Sequence, residues 1–172
     1  AASTLIVIDE KNGSTDLVVG TPYKREGQVM TPTSGLTDGF GNSFNGYFWR
    51  MTHHEGWLYL GTYDASSLIE WINTKQLSKR MSDMFNKIDL EYINNNRGFE
   101  LWRSHDGENW IPVDRKGFGS VYNNGIRNLV STPEGLFVGT ANPFGPTVAK
   151  KENGEWIYRE NPKGGLEVWI GK

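Results

Sequence analysis

The segment from Gly39 to Asp64, GFGNSFNGYFWRMTHHEGWLYLGTYD, recurs from Gly117 to Asn142 as GFGSVYNNGIRNLVSTPEGLFVGTAN. The two copies align residue for residue without a gap. Gly39, Phe40 and Gly41 match Gly117, Phe118 and Gly119, and Asn45 matches Asn123. Leu58, Gly61 and Thr62 match Leu136, Gly139 and Thr140, while Tyr59 and Leu60 are replaced conservatively by Phe137 and Val138. A second block follows each copy: Gly98–Trp102 reads GFELW and Gly165–Trp169 reads GLEVW, at a shorter spacing in the second copy. Asp16–Thr21, DLVVGT, reads as a third, weaker copy of the apolar-Gly-Thr element. Self-similarity of this kind marks a repeat architecture, in which each unit buries its apolar face against a neighbour.

Each unit reads as short antiparallel strands. The expected strands are Tyr47–Thr52, Trp57–Thr62, Glu100–Ser104 and Trp110–Val113. The intervening turns fall at His53-His54-Glu55-Gly56 and Asp106-Gly107, with further turns at Glu134-Gly135 and Asn153-Gly154. Asp-Gly and Asn-Gly between apolar runs favour hairpins because Gly tolerates the positive φ that tight turns demand. Four short strands per unit, with glycines and aromatics at fixed places, describe β-propeller blades. The predicted fold is all-β: about two to three consecutive four-stranded blades of a partial propeller, in one segment spanning 1–172. Residues 66–97 interrupt it. Leu77, Met81, Met84, Phe85 and Ile88 have helical spacing, and Ser67 with Glu70 fits a capping box, so a helical insertion within one blade is expected.

Composition narrows the function classes. The 172 residues carry 18 basic and 20 acidic side chains, a net charge of -2, so a nucleic-acid partner is not expected. No apolar run reaches the roughly 20 residues of a membrane span. Cysteine is absent, which removes disulfides, thiolate nucleophiles and Cys-ligated metals. No Walker or dinucleotide glycine loop and no Gly-x-Ser-x-Gly elbow appears. His53 and His54 are adjacent on a strand-connecting turn, where neighbours face opposite sides, so no metal site is expected there. The sequence names no cofactor.

Ser104-His105-Asp106-Gly107-Glu108-Asn109-Trp110 resembles the Asp-box hairpin of sialidase-like (BNR-type) propellers, one residue shorter and with Asn in place of Thr. With the LYLGT and ELW blocks, the chain resembles secreted bacterial propellers built from such repeats. The resemblance implies architecture rather than activity, since the hairpin is a folding element and no arginine cluster of the sialidase kind is present. It also implies a secreted or periplasmic location, with which the opening Ala1-Ala2-Ser3-Thr4, lacking an initiator Met, is in keeping. Propellers close with about four to eight blades, so a second polypeptide supplying the remaining blades is expected, with self-association as the alternative.

In such a ring the GFG-x-x-x-Asn loops, the Tyr63-Asp64 and Ala141-Asn142 strand ends and the insertion share one rim, where loops converge on a ligand. Residues repeated in both copies read as structural: Trp102, Trp169, Trp110 and Trp156 as packing, Glu100 and Glu167 as framework, Asn45 and Asn123 as loop caps. Residues that differ are free for local work. The ligand-binding candidates are Trp49, Tyr63, Trp71, Arg127 and Asn142; the catalytic candidates are Asp64, Arg50 and Glu70. An aromatic at the channel mouth stacks on a sugar ring or packs in the wall. Arg50 and Arg127 either grip a carboxylate or phosphate, or form salt bridges to Asp64 or Glu100. Asp64 and Glu70 are candidates for a glycosidase-type acid/base pair. Two functions follow: a secreted propeller segment binding a glycan-like ligand, another small molecule or a partner protein through its rim, or an enzyme subunit of the glycan-active hydrolase or lyase type.

Overall fold

The computed structural model describes residues 2–71, 78, 79, 83, 93 and 96–172. The chain is mostly β, with strands β1 (Leu5–Ile8), β2 (Thr15–Val19), β3 (Tyr23–Arg25), β4 (Gln28–Met30), β5 (Asn45–His54) and β6 (Trp57–Asp64) in its first half. Then follow β7 (Leu101–Ser104), β8 (Ile111–Asp114), β9 (Gly125–Thr132), β10 (Gly135–Ala141), β11 (Thr147–Glu152), β12 (Glu155–Glu160) and β13 (Val168–Gly171). The main sheet is antiparallel and curled, in the order β13-β10-β9-β6-β7-β8, with β5 paired onto β6. Three separate hairpins, β1–β2, β3–β4 and β11–β12, surround it.

The turns follow from their residues. Glu26-Gly27, Glu55-Gly56 and Asn153-Gly154 all place both residues at positive φ, as the two-residue hairpin turn requires. The GFG loops take this further: Gly39, Phe40 and Gly41 lie at φ 64°, 59° and 81°, and Gly117, Phe118 and Gly119 repeat the pattern at 58°, 53° and 79°. A phenylalanine in the left-handed region is strained by about 1–3 kcal/mol. Burial of its ring offsets that strain: Phe40 is buried and stacks on Trp102 with centroids 4.3 Å apart. Asn45 Nδ2 donates to the Gly39 carbonyl at 2.9 Å, and Asn123 Nδ2 to that of Gly117 at 3.0 Å, so both asparagines cap their loops.

The two repeats share a set of equivalent bonds. The amide of Glu100 donates to Thr62 Oγ1 at 2.9 Å, and that of Glu167 to Thr140 Oγ1 at 2.8 Å. Trp102 Nε1 donates to the Glu100 carboxylate at 2.7 Å, and Trp169 Nε1 to that of Glu167 at 3.0 Å. Where the repeats meet, β6 pairs with β9 only through Tyr63 and Gly125. There β5 and β9 run side by side in the same direction, with Arg50 Nε donating to the Arg127 carbonyl at 2.7 Å and His54 Nδ1 2.9 Å from Ser131 Oγ.

The third copy lies elsewhere than the sequence pattern suggests. Asp16–Thr21 is not a counterpart of β6. The β1–β2 hairpin is the counterpart of β7–β8: Leu5 faces Val19 as Leu101 faces Asp114, and both ladders shift register immediately after that pair. Ser3 N donates to the Asn45 carbonyl at 3.1 Å just as Phe99 N donates to that of Asn123 at 2.8 Å. Apolar-Gly-Thr strings recur by composition, and only hydrogen-bond partners separate the two kinds of strand. The core accordingly has two clusters. Val18, Val19, Phe40, Leu60, Trp102 and Trp110 form one, and Phe99, Leu101, Ile126, Leu129, Leu136 and Val138 the other.

Ser66–Trp71 forms a 3-10 turn, and Lys79, Asp83 and Ile93 have helical backbone. The rest of the expected helical insertion, including Leu77, Met81, Met84, Phe85 and Ile88, lies outside the described residues. The capping box is not formed. Ser67 Oγ is buried without a hydrogen-bond partner, and Glu70 turns instead to Arg97 and Lys150.

Candidate functional site

Four of the sequence-selected residues converge at the β5–β9 junction. Trp49 on β5 meets Tyr63 on β6 edge to face at 5.1 Å, and Tyr63 contacts Tyr47 at 5.7 Å. The Arg127 guanidinium lies 4.8 Å above the Trp49 ring, and Arg50 is tethered to the Arg127 carbonyl. The local fold depends on a glycine. A Cβ at Gly125 would come within 2.4 Å of the Trp49 ring, so the indole occupies space that only Gly leaves open. Tyr47, Arg50 and Arg127 are exposed, and Trp49 and Tyr63 are partly buried. Burial, helped by the charge of Asp64, raises the Tyr63 phenol pKa, so at neutral pH it is a neutral donor. The Arg127 guanidinium therefore covers one ring of a three-ring aromatic floor, and Arg50 is held to the Arg127 backbone. Sequence reasoning missed Tyr47, although its alternation with Trp49 on one strand face was a usable signal.

Neither arginine makes the expected inter-repeat salt bridge. Glu100 is taken by Arg115, whose Nε donates to Oε1 at 3.2 Å, and Asp64 has no arginine partner among the described residues. Asp64 is buried with Asn42 Nδ2 at 2.8 Å and the Ser66 amide at 2.7 Å, and the Ser66 hydroxyl also bonds it. Burial pushes its carboxyl up to about 6, against the lowering by these hydrogen bonds and with added repulsion from Glu100. Its role is visible in the other repeat, where Asn142 accepts from the Phe144 amide at 3.1 Å as Asp64 accepts from Ser66. Asn142 further donates to the Lys163 carbonyl at 2.8 Å. Both residues hold the chain as it leaves the second strand.

Glu70 and Trp71 form a third place. Arg97 Nη1 lies 2.5 Å and Lys150 Nζ 2.9 Å from the Glu70 carboxylate. Burial alone would raise the pKa of Glu70, but the bonds from Lys150 and Arg97 prevail and hold it below the usual range. Trp71 Nε1 donates to the Ala149 carbonyl at 3.1 Å, and its ring meets Phe144 at 4.9 Å beside a cavity of about 550 Å³. Among the described residues, Asp64, Arg50 and Glu70 share no hydrogen-bond partner.

The Asp-box-like hairpin is fully knitted. Asp106 Oδ1 accepts from the amides of Glu108 (2.9 Å) and Asn109 (2.7 Å), and Trp110 Nε1 caps the Gly107 carbonyl at 2.9 Å. Bonds from the Asn109 side chain and backbone hold the Asp106 carboxyl well below the ordinary range. Trp110 is buried, but Trp156 stands half exposed on β12 against Lys151, so it is not core packing. Among the described residues no three His, Asp or Glu side chains converge as metal ligands, and no helix is long and apolar enough to cross a membrane. No family model, curated protein or solved structure matches the chain.

Proposed function

We propose that this chain is a segment of a β-propeller that binds an anionic, glycan-class ligand at the Arg50–Arg127–Trp49–Tyr63–Tyr47 cluster, with a second polypeptide supplying the remaining blades. The observation that carries the reading is an aromatic floor with the Arg127 guanidinium over one ring and Arg50 held to the Arg127 backbone, neither arginine bound to a carboxylate among the described residues. Sugar C–H faces stack on indole and phenol rings, and a ring carboxylate matches the planar fork of arginine. The propeller part of the reading is supported by the hydrogen bonds that the two repeats share and by β5 and β9, the matching strands of successive units, lying side by side.

Calorimetric titration with trigalacturonate, against neutral galactotriose, tests the ligand class. Hydrogen bonds to charged groups contribute about 1.5–3 kcal/mol, so Arg127→Ala should weaken uronate binding roughly tenfold to a hundredfold. Added salt should weaken it further by screening these exposed charges. Equal binding of both sugars, or no effect of Arg127→Ala, would overturn the assignment.

A further inference from the structure

The segment that leaves the second strand of the first repeat meets its counterpart from the second repeat. Trp71 Nε1 donates to the Ala149 carbonyl at 3.1 Å, and Lys150 Nζ lies 2.9 Å from Glu70 Oε2. Trp71, Phe144 and Lys150 stand outside the blocks that the repeats share, so the repeat does not account for them. Three rings gather here: Phe144 contacts both Trp71 and Tyr122, each with centroids 4.9 Å apart. Lys150 Nζ is 5.7 Å from the Trp71 centroid and 5.5 Å from that of Tyr122, within the roughly 6 Å at which a cation is drawn to a ring face.

Glu70 does not exhaust this ammonium. Its Oε1 is taken by Arg97, which leaves Oε2 for Lys150. An ammonium carries three donors, and only the one directed to Glu70 finds a protein acceptor among the described residues. The Lys150 side chain is 31% exposed, so the other two can reach a ligand. The cavity of about 550 Å³ beside Trp71 is walled by Leu68, Trp71, Pro143, Phe144 and Val148, and Val148 shares a face of β11 with Lys150. Among the described lining residues Thr147 alone brings a hydroxyl, and the Trp71 N–H is spent on Ala149. Such walls suit a planar hydrocarbon better than a sugar, whose hydroxyls would go unpaired. We propose that this cavity is a second binding site, for an aromatic carboxylate. The ligand's ring lies against Trp71 and Phe144, and its carboxylate accepts from Lys150.

The site shares no residue with the arginine cluster, so each can fail alone. The probe is 2-naphthoate, titrated by calorimetry into the full chain beside neutral 2-naphthamide. Naphthoate should bind roughly tenfold or more tightly than the amide, the difference being a hydrogen bond between charged groups. Lys150→Met should abolish that difference while leaving the binding of the amide and of trigalacturonate unchanged. Lys150→Arg, which keeps the charge, should preserve most of it. In the wild-type chain naphthoate should shift the Trp71 indole N–H signal in proton–nitrogen NMR and leave that of Trp49 unmoved, a readout independent of any variant. Absence of naphthoate binding, equal binding of acid and amide, a loss through Arg127→Ala but not through Lys150→Met, or a shift at Trp49 instead of Trp71 would each overturn the assignment.

Discussion

Asp64→Asn should remove the pH dependence of stability that one buried position contributes. Asp64 is fully buried, and its carboxyl is pushed from an ordinary 3.8 up to about 6. A carboxyl that holds its proton more tightly when folded makes the folded chain carry more protons between those two values. Stability therefore falls as pH rises through that window and levels off above it. At roughly 1.4 kcal/mol per pH unit, the penalty at neutral pH is about 3 kcal/mol. Asparagine cannot ionise, and its Oδ1 can keep accepting from the Ser66 amide, as Asn142 does from Phe144 in the other repeat. The loss is the acceptor now facing Asn42 Nδ2 at 2.8 Å, a cost of about 1 kcal/mol. The variant should then be about 1 kcal/mol less stable than wild type near pH 3.5 and about 1–2 kcal/mol more stable at pH 7.5. Urea unfolding at intervals between those pH values measures it. A stability difference that is flat with pH, or a variant less stable at every pH, would refute the argument that the buried charge dominates at this site.

Two further substitutions probe the framework and the junction. Trp110→Ala should cost about 3–5 kcal/mol, since it empties the first core cluster, whereas Trp156→Ala should change stability by less than about 1 kcal/mol; denaturant midpoints separate them. Gly125→Ala places a methyl where the Trp49 ring lies, at 2.4 Å, and should cost about 1–3 kcal/mol while displacing the indole. The altered near-ultraviolet dichroism of Trp49, with far-ultraviolet dichroism retained, checks it.

The repeat was legible because its constraints are local. The GFG loop needs consecutive left-handed residues, Glu100 and Glu167 must receive their tryptophans, and Asn45 and Asn123 must cap their loops, so the residue types recur. The strands of the first unit, from β5 to β8, fall within a residue or two of their sequence positions. Asp16–Thr21 matches the apolar-Gly-Thr element by composition, whereas the kinship of the β1–β2 hairpin to β7–β8 lies in register and backbone bonds, which Leu5 for Leu101 and Val19 for Asp114 do not announce. The gathering of Trp49, Tyr63, Arg50 and Arg127 followed from their repeat positions. What the sequence could not supply was the choice among partners: Arg115, not Arg50 or Arg127, reaches Glu100, and Lys150 from a distant hairpin reaches Glu70. Such choices depend on side-chain reach across elements far apart in the chain.

The most direct test of ligand binding at the β5–β9 junction is a proton–nitrogen NMR titration of the wild-type chain with trigalacturonate, observing the indole and guanidinium signals. The account predicts shifts at Trp49 Nε1 and at the Nε groups of Arg50 and Arg127, with Trp110 and Trp156 unmoved. Shifts confined to other residues, or none at concentrations well above those that saturate ordinary lectin-like sites, would contradict it.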